Sequence, residues 1–436
     1  MLIARSTLDQ LEASFVSDGA GFSVASVEIR LDPLEFVRSA HSFASPAVYF
    51  GRPGETEIGA IGSTWEAQVS SGEGRLARLA DEIPDSVDAR FVLGYSFSQD
   101  GPTGEEWNNY GPARVVLPQA AVVRDGGSTK LIVATKPGDE KVVLALLRRL
   151  KRPGLAVRRH AADRSIESIP PPGDWMQAVE ETVEAIDGGA FEKVVLARSV
   201  VVTSDVASDP FELAGRLRSG YSSCFTYAWE SGEDAFVGAS PELLAQVRGA
   251  RVMSEPLAGT TARGEGEDDD RQLGEQLMAS TKNRHEHRLV IEDISSRLEP
   301  LTSEISVPST PTLRRMANVQ HLSTSIQGTL LSGRGLLDVV EAMHPTPAVG
   351  GSPTSDAVAM IEKMEQIDRG WYSGGIGWTT AEGDGQIAVA LRCALLRGAQ
   401  ARLFAGAGIV SGSIPQLELE ETRLKFGPVL SLLTEA

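Results

Sequence analysis

The sequence predicts a mixed α+β fold with largely antiparallel sheets, and three observations carry that prediction. Short β-like runs recur along most of the chain, separated by turn residues. Helix-like runs lie among them without the regular strand–helix–strand alternation of a doubly wound parallel sheet. Apolar residues make up 42% of the 436 residues, enough for a substantial core.

Residues 1–165 are dominated by the runs GFSVASVEIRL, AVYFGR, RFVLGYSF, ARVVLPQAAVV and KLIVAT, rich in β-branched and aromatic residues. A basic helix-like piece, KVVLALLRRLKR, follows them. Pro170, Pro171 and Pro172 then break the chain, either as a linker between domains or as a surface loop within one fold. Next comes DWMQAVEETVEAIDGG, an amphipathic helix stopped by a glycine pair, and the strand FEKVVLARSVVV. Within 166–436 the strands CFTYAWE, AFVGASP and LLAQVRG precede the helical run RQLGEQLMASTKNRHEHRLVIEDISSRL. Strands return in YSGGIGWTT, GQIAVALRCALL and ARLFAGAGIV. A final helix is signalled near residue 414, where Ser413 and Gln416 have capping-box spacing and Pro415 suits the first turn. The acidic run EGEDDD, 265–270, reads as a solvated loop.

A formal charge of −18 argues against a nucleic-acid or anionic-membrane surface, because both need clustered Lys and Arg. A small anionic substrate stays open if a local basic pocket sits inside the acidic envelope. Cys224 and Cys393 are too few and too far apart for a disulfide framework, and read as small core residues of a protein in a reducing compartment. Arg5 and Asp9 interrupt the N-terminal stretch, so it does not read as a secretory signal, and no segment reaches about 18 uninterrupted apolar residues. A cytoplasmic location is expected.

Several segments carry possible chemistry. In RHEHRLVIED, His285 and His287 are two residues apart and point about 200° apart on a helix, so they cannot share a metal. A zinc protease needs the i, i+4 pair instead. Glu286 between them suits a hard cation such as Mg²⁺, which takes one or two carboxylates with waters. On the last helix Glu418, Glu421 and Lys425 share a stripe that either ion pairing or a metal would explain. The stretch AGAGIVSGS fails as a dinucleotide fingerprint, since Ser411 stands where the third glycine belongs. Gly406 and Gly408 still allow backbone N–H groups ahead of a helix N-terminus to approach an anion. Lys193 lies in an apolar strand, where desolvation favours a free amine able to act as a base. Glu242 is a lone carboxylate just after a strand and a proline, and SEPLAGTTARG, 254–264, reads as a Gly/Thr/Arg loop suited to holding oxygens.

Taken in order, FEKVVLARS, GASPELL, SEPLAGTTARG, KNRHEHRLVIEDI, NVQHLSTSIQG, HPTPAVGG, GWYSGGIGW, VALRCALL and AGAGIVSGS…LELEETRLKF resemble the chorismate-utilising enzymes over about residues 166–430. The resemblance implies a single large α+β domain: two stacked, mostly antiparallel sheets flanked by helices, with residues 1–165 completing the fold around a catalytic region at 166–436. HPTPAVGG, GWYSGGIGW and the HEH triplet look most like the isochorismate synthases of menaquinone or siderophore pathways. Ala258 stands where aminodeoxychorismate synthases place a nucleophilic lysine, which disfavours that branch. An anthranilate synthase large subunit or a salicylate synthase is the alternative.

That resemblance implies Lys193 as the base that activates water, and Glu242 as the acid that protonates the departing oxygen. It implies Mg²⁺ as cofactor, held by Glu286 and Glu421, with Glu418 acting through a water. Substrate carboxylates would meet Lys425, Arg392 and the backbone near Gly406 and Gly408, while Gly259, Thr260 and His321 line the pocket. Arg392, placed within the strand VALRCALL, would expect a carboxylate partner. Asn283 stands where an acidic residue is common, which would make the metal surroundings less anionic. His285 and His287 are expected to orient the helix or pack beside the site. The expected partner is the small molecule chorismate, with no obligatory glutaminase subunit, and the chain is expected to be a monomer or weak dimer.

Overall fold

The computed structural model describes residues 1–85, 89–152 and 164–434. Most of the strands fall into two large sheets, and every strand pair within them is antiparallel among the described residues. Among the described residues the larger has 13 strands and the smaller nine, and a separate three-stranded sheet stands beside them. Both large sheets draw on the two parts of the sequence. Ala47–Gly51 pairs with Phe225–Ser231 in the larger sheet, and Phe91–Tyr95 pairs with Gly375–Thr379 in the smaller.

Strands of both sheets contribute to shared cores, so the two stack with their apolar faces together. In one such cluster Val48, Phe50 and Phe236 of the larger sheet join Val92, Ile376 and Trp378 of the smaller. Trp107, Trp229 and Trp371 lie fully buried in it, with rings packed edge to face. The opposite face of the larger sheet is covered by the helices Pro33–Ala40, Glu140–Arg149 and Pro210–Gly220 and by the last helix, Pro415–Thr434. Two of these helices start by one device: Asp32 and Asp209 accept hydrogen bonds from first-turn N–H groups, each followed by a proline at the first helical position.

The structure departs from the sequence reading at four places. SEPLAGTTARG is not a loop: Leu257–Ala262 is a strand of the small sheet, bulged at Gly259. The run EGEDDD is not a solvated loop either. Glu267–Asp270 form the first turn of the helix Glu267–Ala279, where acidic side chains complement the exposed N–H groups, and Asp270 is buried against Arg263. GQIAVALRCALL is two strands, Gly385–Val389 in the smaller sheet and Cys393–Arg397 in the larger, so Arg392 sits at the crossover and not within a strand. Arg392 has φ 51°, a left-handed conformation that ends one strand and re-aims the chain. Finally, the Ser413 hydroxyl accepts from the Val410 N–H, turning back on the preceding strand instead of forming a capping box with Gln416.

Candidate active site

The site is walled by the strands Lys193–Ser204 and Gln400–Val410 of the larger sheet, the small sheet, and the helices Thr281–Leu298 and Pro415–Thr434. The strand Lys193–Ser204 runs beside Gln400–Val410 over nearly its whole length, with Lys193 opposite Val410 and Val195 opposite Gly408. Alternation turns Lys193 inward, and it is 1% exposed. Its Nζ is 3.0 Å from Glu286 Oε1, an ion pair that joins the strand to the helix Thr281–Leu298.

Gly408 explains how these two side chains meet. A Cβ there would lie 2.6 Å from Glu286 Oε1 and 3.0 Å from Lys193 Cε, so the glycine leaves room for the pair. Gly406 and Gly408 are interior strand residues, and the helix begins only at Pro415; they therefore do not form an anion cradle at the helix N-terminus. Instead the Gly406 carbonyl accepts a 2.8 Å hydrogen bond from Lys425 Nζ.

Glu242 follows the strand Asp234–Ser240 and is 4% exposed. Burial pushes its carboxyl up to about 7, despite a backbone hydrogen bond from Leu257 and the positive charges of Lys193, Arg392 and Lys425. The same cleft is lined by Gly259, Thr260, Glu286, His321, Arg392, Gly406, Gly408, Glu421 and Lys425. Thr260 Oγ1 and His321 Nδ1 are 3.1 Å apart across neighbouring strands of the small sheet. Burial holds the His321 imidazole well below its ordinary pKa, so the ring is neutral, and its Nε2 has no hydrogen-bond partner among the described residues. Gly259 has φ 76°, and a Cβ on it would press against Asn283 at 3.1 Å.

Arg392 has no carboxylate within ion-pair distance among the described residues, although Glu242 and Glu421 act on it electrostatically. The guanidinium therefore faces the cleft with its donors available for an anion. Sequence reasoning did not single out Tyr372, Ser373 and Val349, which also line the cleft. All three lie inside the quoted segments GWYSGGIGW and HPTPAVGG, so the signal was present without a residue-level reason to choose them.

The three glutamates are each turned toward a lysine. Lys193 holds Glu286, Lys282 holds Glu418 at 2.9 Å, and Lys425 holds Glu421 at 2.6 Å. Among the described residues no three His, Cys, Asp or Glu side chains are gathered closely enough to hold a metal ion. Glu418 is nevertheless a group under strain: burial raises its pKa, and the neighbouring Glu421 carboxylate raises it further. Glu286 and Glu421 line one cleft and offer the type of oxygen donor that a hard divalent cation takes, each now held by a lysine.

The histidines divide as the helical geometry requires. His287 is buried, with Nε2 2.8 Å from Thr324 Oγ1, whereas His285 is half-buried beside Arg288. Neither ring touches the three glutamates in any ion pair or hydrogen bond among the described residues. Asn283 turns its amide to Ser280, the residue that caps its own helix.

Against known proteins, a family model described as "chorismate binding enzyme" matches residues 17–434. The chain belongs to this family. It is 37% identical over 432 residues to the salicylate biosynthesis isochorismate synthase of Pseudomonas aeruginosa, an alignment covering 94% of this chain and 90% of that one. It is 35% identical over 347 residues to the isochorismate synthase MenF of Bacillus subtilis, covering 78% and 74%. Among solved structures, the menaquinone-specific isochorismate synthase MenF of Escherichia coli superposes with a TM-score of 0.84 at 27% identity, over 98% of this chain and 99% of that one. Anthranilate synthase component I of Streptococcus pneumoniae, 22% identical, shares the fold at a TM-score of 0.73 over 87% and 93%. The chorismate-binding enzyme described here thus has the two-sheet α+β architecture of its relatives.

Proposed function

We infer that this chorismate-binding enzyme is an isochorismate synthase, an isomerase that converts chorismate to isochorismate for menaquinone or siderophore synthesis. The observation that carries the reading is Glu242: a buried carboxyl held near pKa 7 shares one cleft with Arg392, Lys425 and Glu286, and Glu286 is paired to Lys193 just behind the lining. Moving a hydroxyl from C4 to C2 of the ring needs one group to take a proton from water and another to give one to the leaving oxygen. In our reading, Lys193 removes a proton from water as its oxygen bonds to C2, both ring double bonds shift along the diene, and the C4–O bond breaks. Glu242 protonates the departing hydroxide, which leaves as water, so one water enters and one departs. The lysine step requires Nζ to be free of its ion pair with Glu286.

Arg392 and Lys425 would bind the two substrate carboxylates, with Gly259, Thr260, His321, Gly406 and Gly408 shaping the walls. Mg²⁺ would be held by Glu286 and Glu421, with Glu418 acting through a water, and would supply positive charge for the ring carboxylate. Ala258 leaves no amine at the head of its strand to form a covalent adduct, which supports water as the nucleophile.

The test is product analysis by chromatography after incubation with chorismate and Mg²⁺, with and without ammonia. Isochorismate is expected in both. Anthranilate formed only with ammonia, or salicylate with release of pyruvate, would overturn the assignment.

A further inference from the structure

The strand that carries Lys193 has a gap along the edge away from Gln400–Val410. Lys193 and Val194 pair there with Ser352 and Gly351, and from Ser199 onward the partner is Arg164–Ile169. Residues 195–198 have no strand opposite them among the described residues. Buried backbone groups need partners. The Val195 N–H donates to the Gly350 carbonyl at 2.8 Å, and side chains supply two further partners. The Ala197 N–H donates to Glu365 Oε1 at 2.7 Å, and the Val195 carbonyl accepts from an Arg369 terminal nitrogen at 2.7 Å. The other terminal nitrogen of Arg369 donates to the Val349 carbonyl at 2.9 Å, and its Nε to Glu365 Oε2 at 2.8 Å. Both charged side chains are 4% exposed, and Phe97 lies against the guanidinium at 4.2 Å.

We propose that Glu365 and Arg369 are positioning residues for the reaction: as one ion pair they replace the missing strand segment, and so fix Lys193 and the Val349 wall of the cleft relative to each other. Val195 and Val349 both line the cleft, and Val195 is two residues from Lys193 on the same face of the strand. One planar guanidinium spans both carbonyls, which a lysine ammonium cannot reach together. The proposal rests on the isochorismate synthase reading, because it assigns Lys193 to the chemistry.

The experiment compares the parent with Arg369→Lys and Glu365→Gln, both of which keep a polar group at the buried site. Steady-state kinetics with chorismate and Mg²⁺ are measured well below each variant's melting temperature. We expect kcat to fall by at least about tenfold in Arg369→Lys, since small misplacements of reacting groups carry penalties of that size. KM should rise with it as the Val349 wall shifts. Glu365→Gln, which can still accept from Ala197, should lose less. Should both variants melt earlier yet keep kcat and KM within twofold of the parent, the pair is only structural and the proposal fails. Should Arg369→Lys not fold, the decision falls to Glu365→Gln: unchanged kcat and KM reject the proposal, and a fall in kcat supports it. A parent that makes no isochorismate instead refutes the underlying reading, and the two failures are told apart.

Discussion

At the scale of single residues, Glu242 makes the sharpest prediction. A general acid must carry its proton, so kcat/KM should fall tenfold per pH unit above about pH 7. That alkaline limb should vanish in Glu242→Gln, together with at least 10²-fold of the activity. Lys193→Ala should lose a similar amount, with the melting temperature of both variants close to the parent's. Activity within a few-fold of the parent in either would remove the assigned roles. Arg392 predicts differently because it meets no carboxylate at ion-pair distance among the described residues. Arg392→Ala should raise KM by about 10- to 100-fold, the worth of a charge-assisted hydrogen bond of about 1.5–3 kcal/mol, and leave the fold intact. An unchanged KM would show that the guanidinium does not hold substrate. Lys193, Glu242 and Arg392 could be picked out in the sequence because each places an ionisable group in or beside an apolar strand, where water is scarce. The pairings could not: Glu286, singled out only as a metal ligand, and Glu365 and Arg369 are more than 80 residues away along the chain from the strand they complete.

At the scale of elements, local pattern located most of the strands and helices, and failed where tertiary structure decides. SEPLAGTTARG looks like a turn because Gly, Pro and Thr cluster in it. Leu257–Ala262 becomes a strand because Val319–Ser323 offers it an edge, and Gly259 absorbs the bulge. VALRCALL reads as one continuous apolar run, yet its two ends belong to different sheets, and no periodicity in one segment reveals a change of layer. Gly408 gives the test at this scale. Gly408→Ala would place a methyl group against Glu286 and Lys193, and overpacking costs about 1–3 kcal/mol. We expect a modest fall in melting temperature and at least a tenfold fall in activity, because the displaced atoms are the ones that do the chemistry. A variant with parental activity would mean that the Lys193–Glu286 contact can rearrange freely.

For the whole molecule, buried ionisable groups set the response to acid, and the signs oppose one another. His344 donates through Nε2 to the Phe97 carbonyl, and burial holds its pKa down to about 3. Unfolding frees the ring to take a proton below about pH 6.5, so the histidine's stabilising effect is present above that pH and is lost as pH falls, by about 1.4 kcal/mol per unit. Glu242 acts the other way: its raised pKa keeps it protonated when folded, where the unfolded chain is ionised, so acidification from about 7 toward 4.5 favours the fold. The two nearly cancel, and the check is a difference. Between pH 6.2 and 5.2, urea unfolding of His344→Asn should lose less stability on acidification than the parent, or gain more, by about 1 kcal/mol. Equal changes would mean that the ring is already protonated when folded.

The pairing of Lys193 with Val410 has a consequence for synthesis. Two neighbouring strands of the larger sheet are separated by roughly 200 residues of chain, the kind of remote closure that slows folding. As translation proceeds, the edge destined for Gln400–Val410 waits unmatched while the intervening polypeptide emerges. Nascent chains stalled before that strand should be sticky and should engage holdase chaperones.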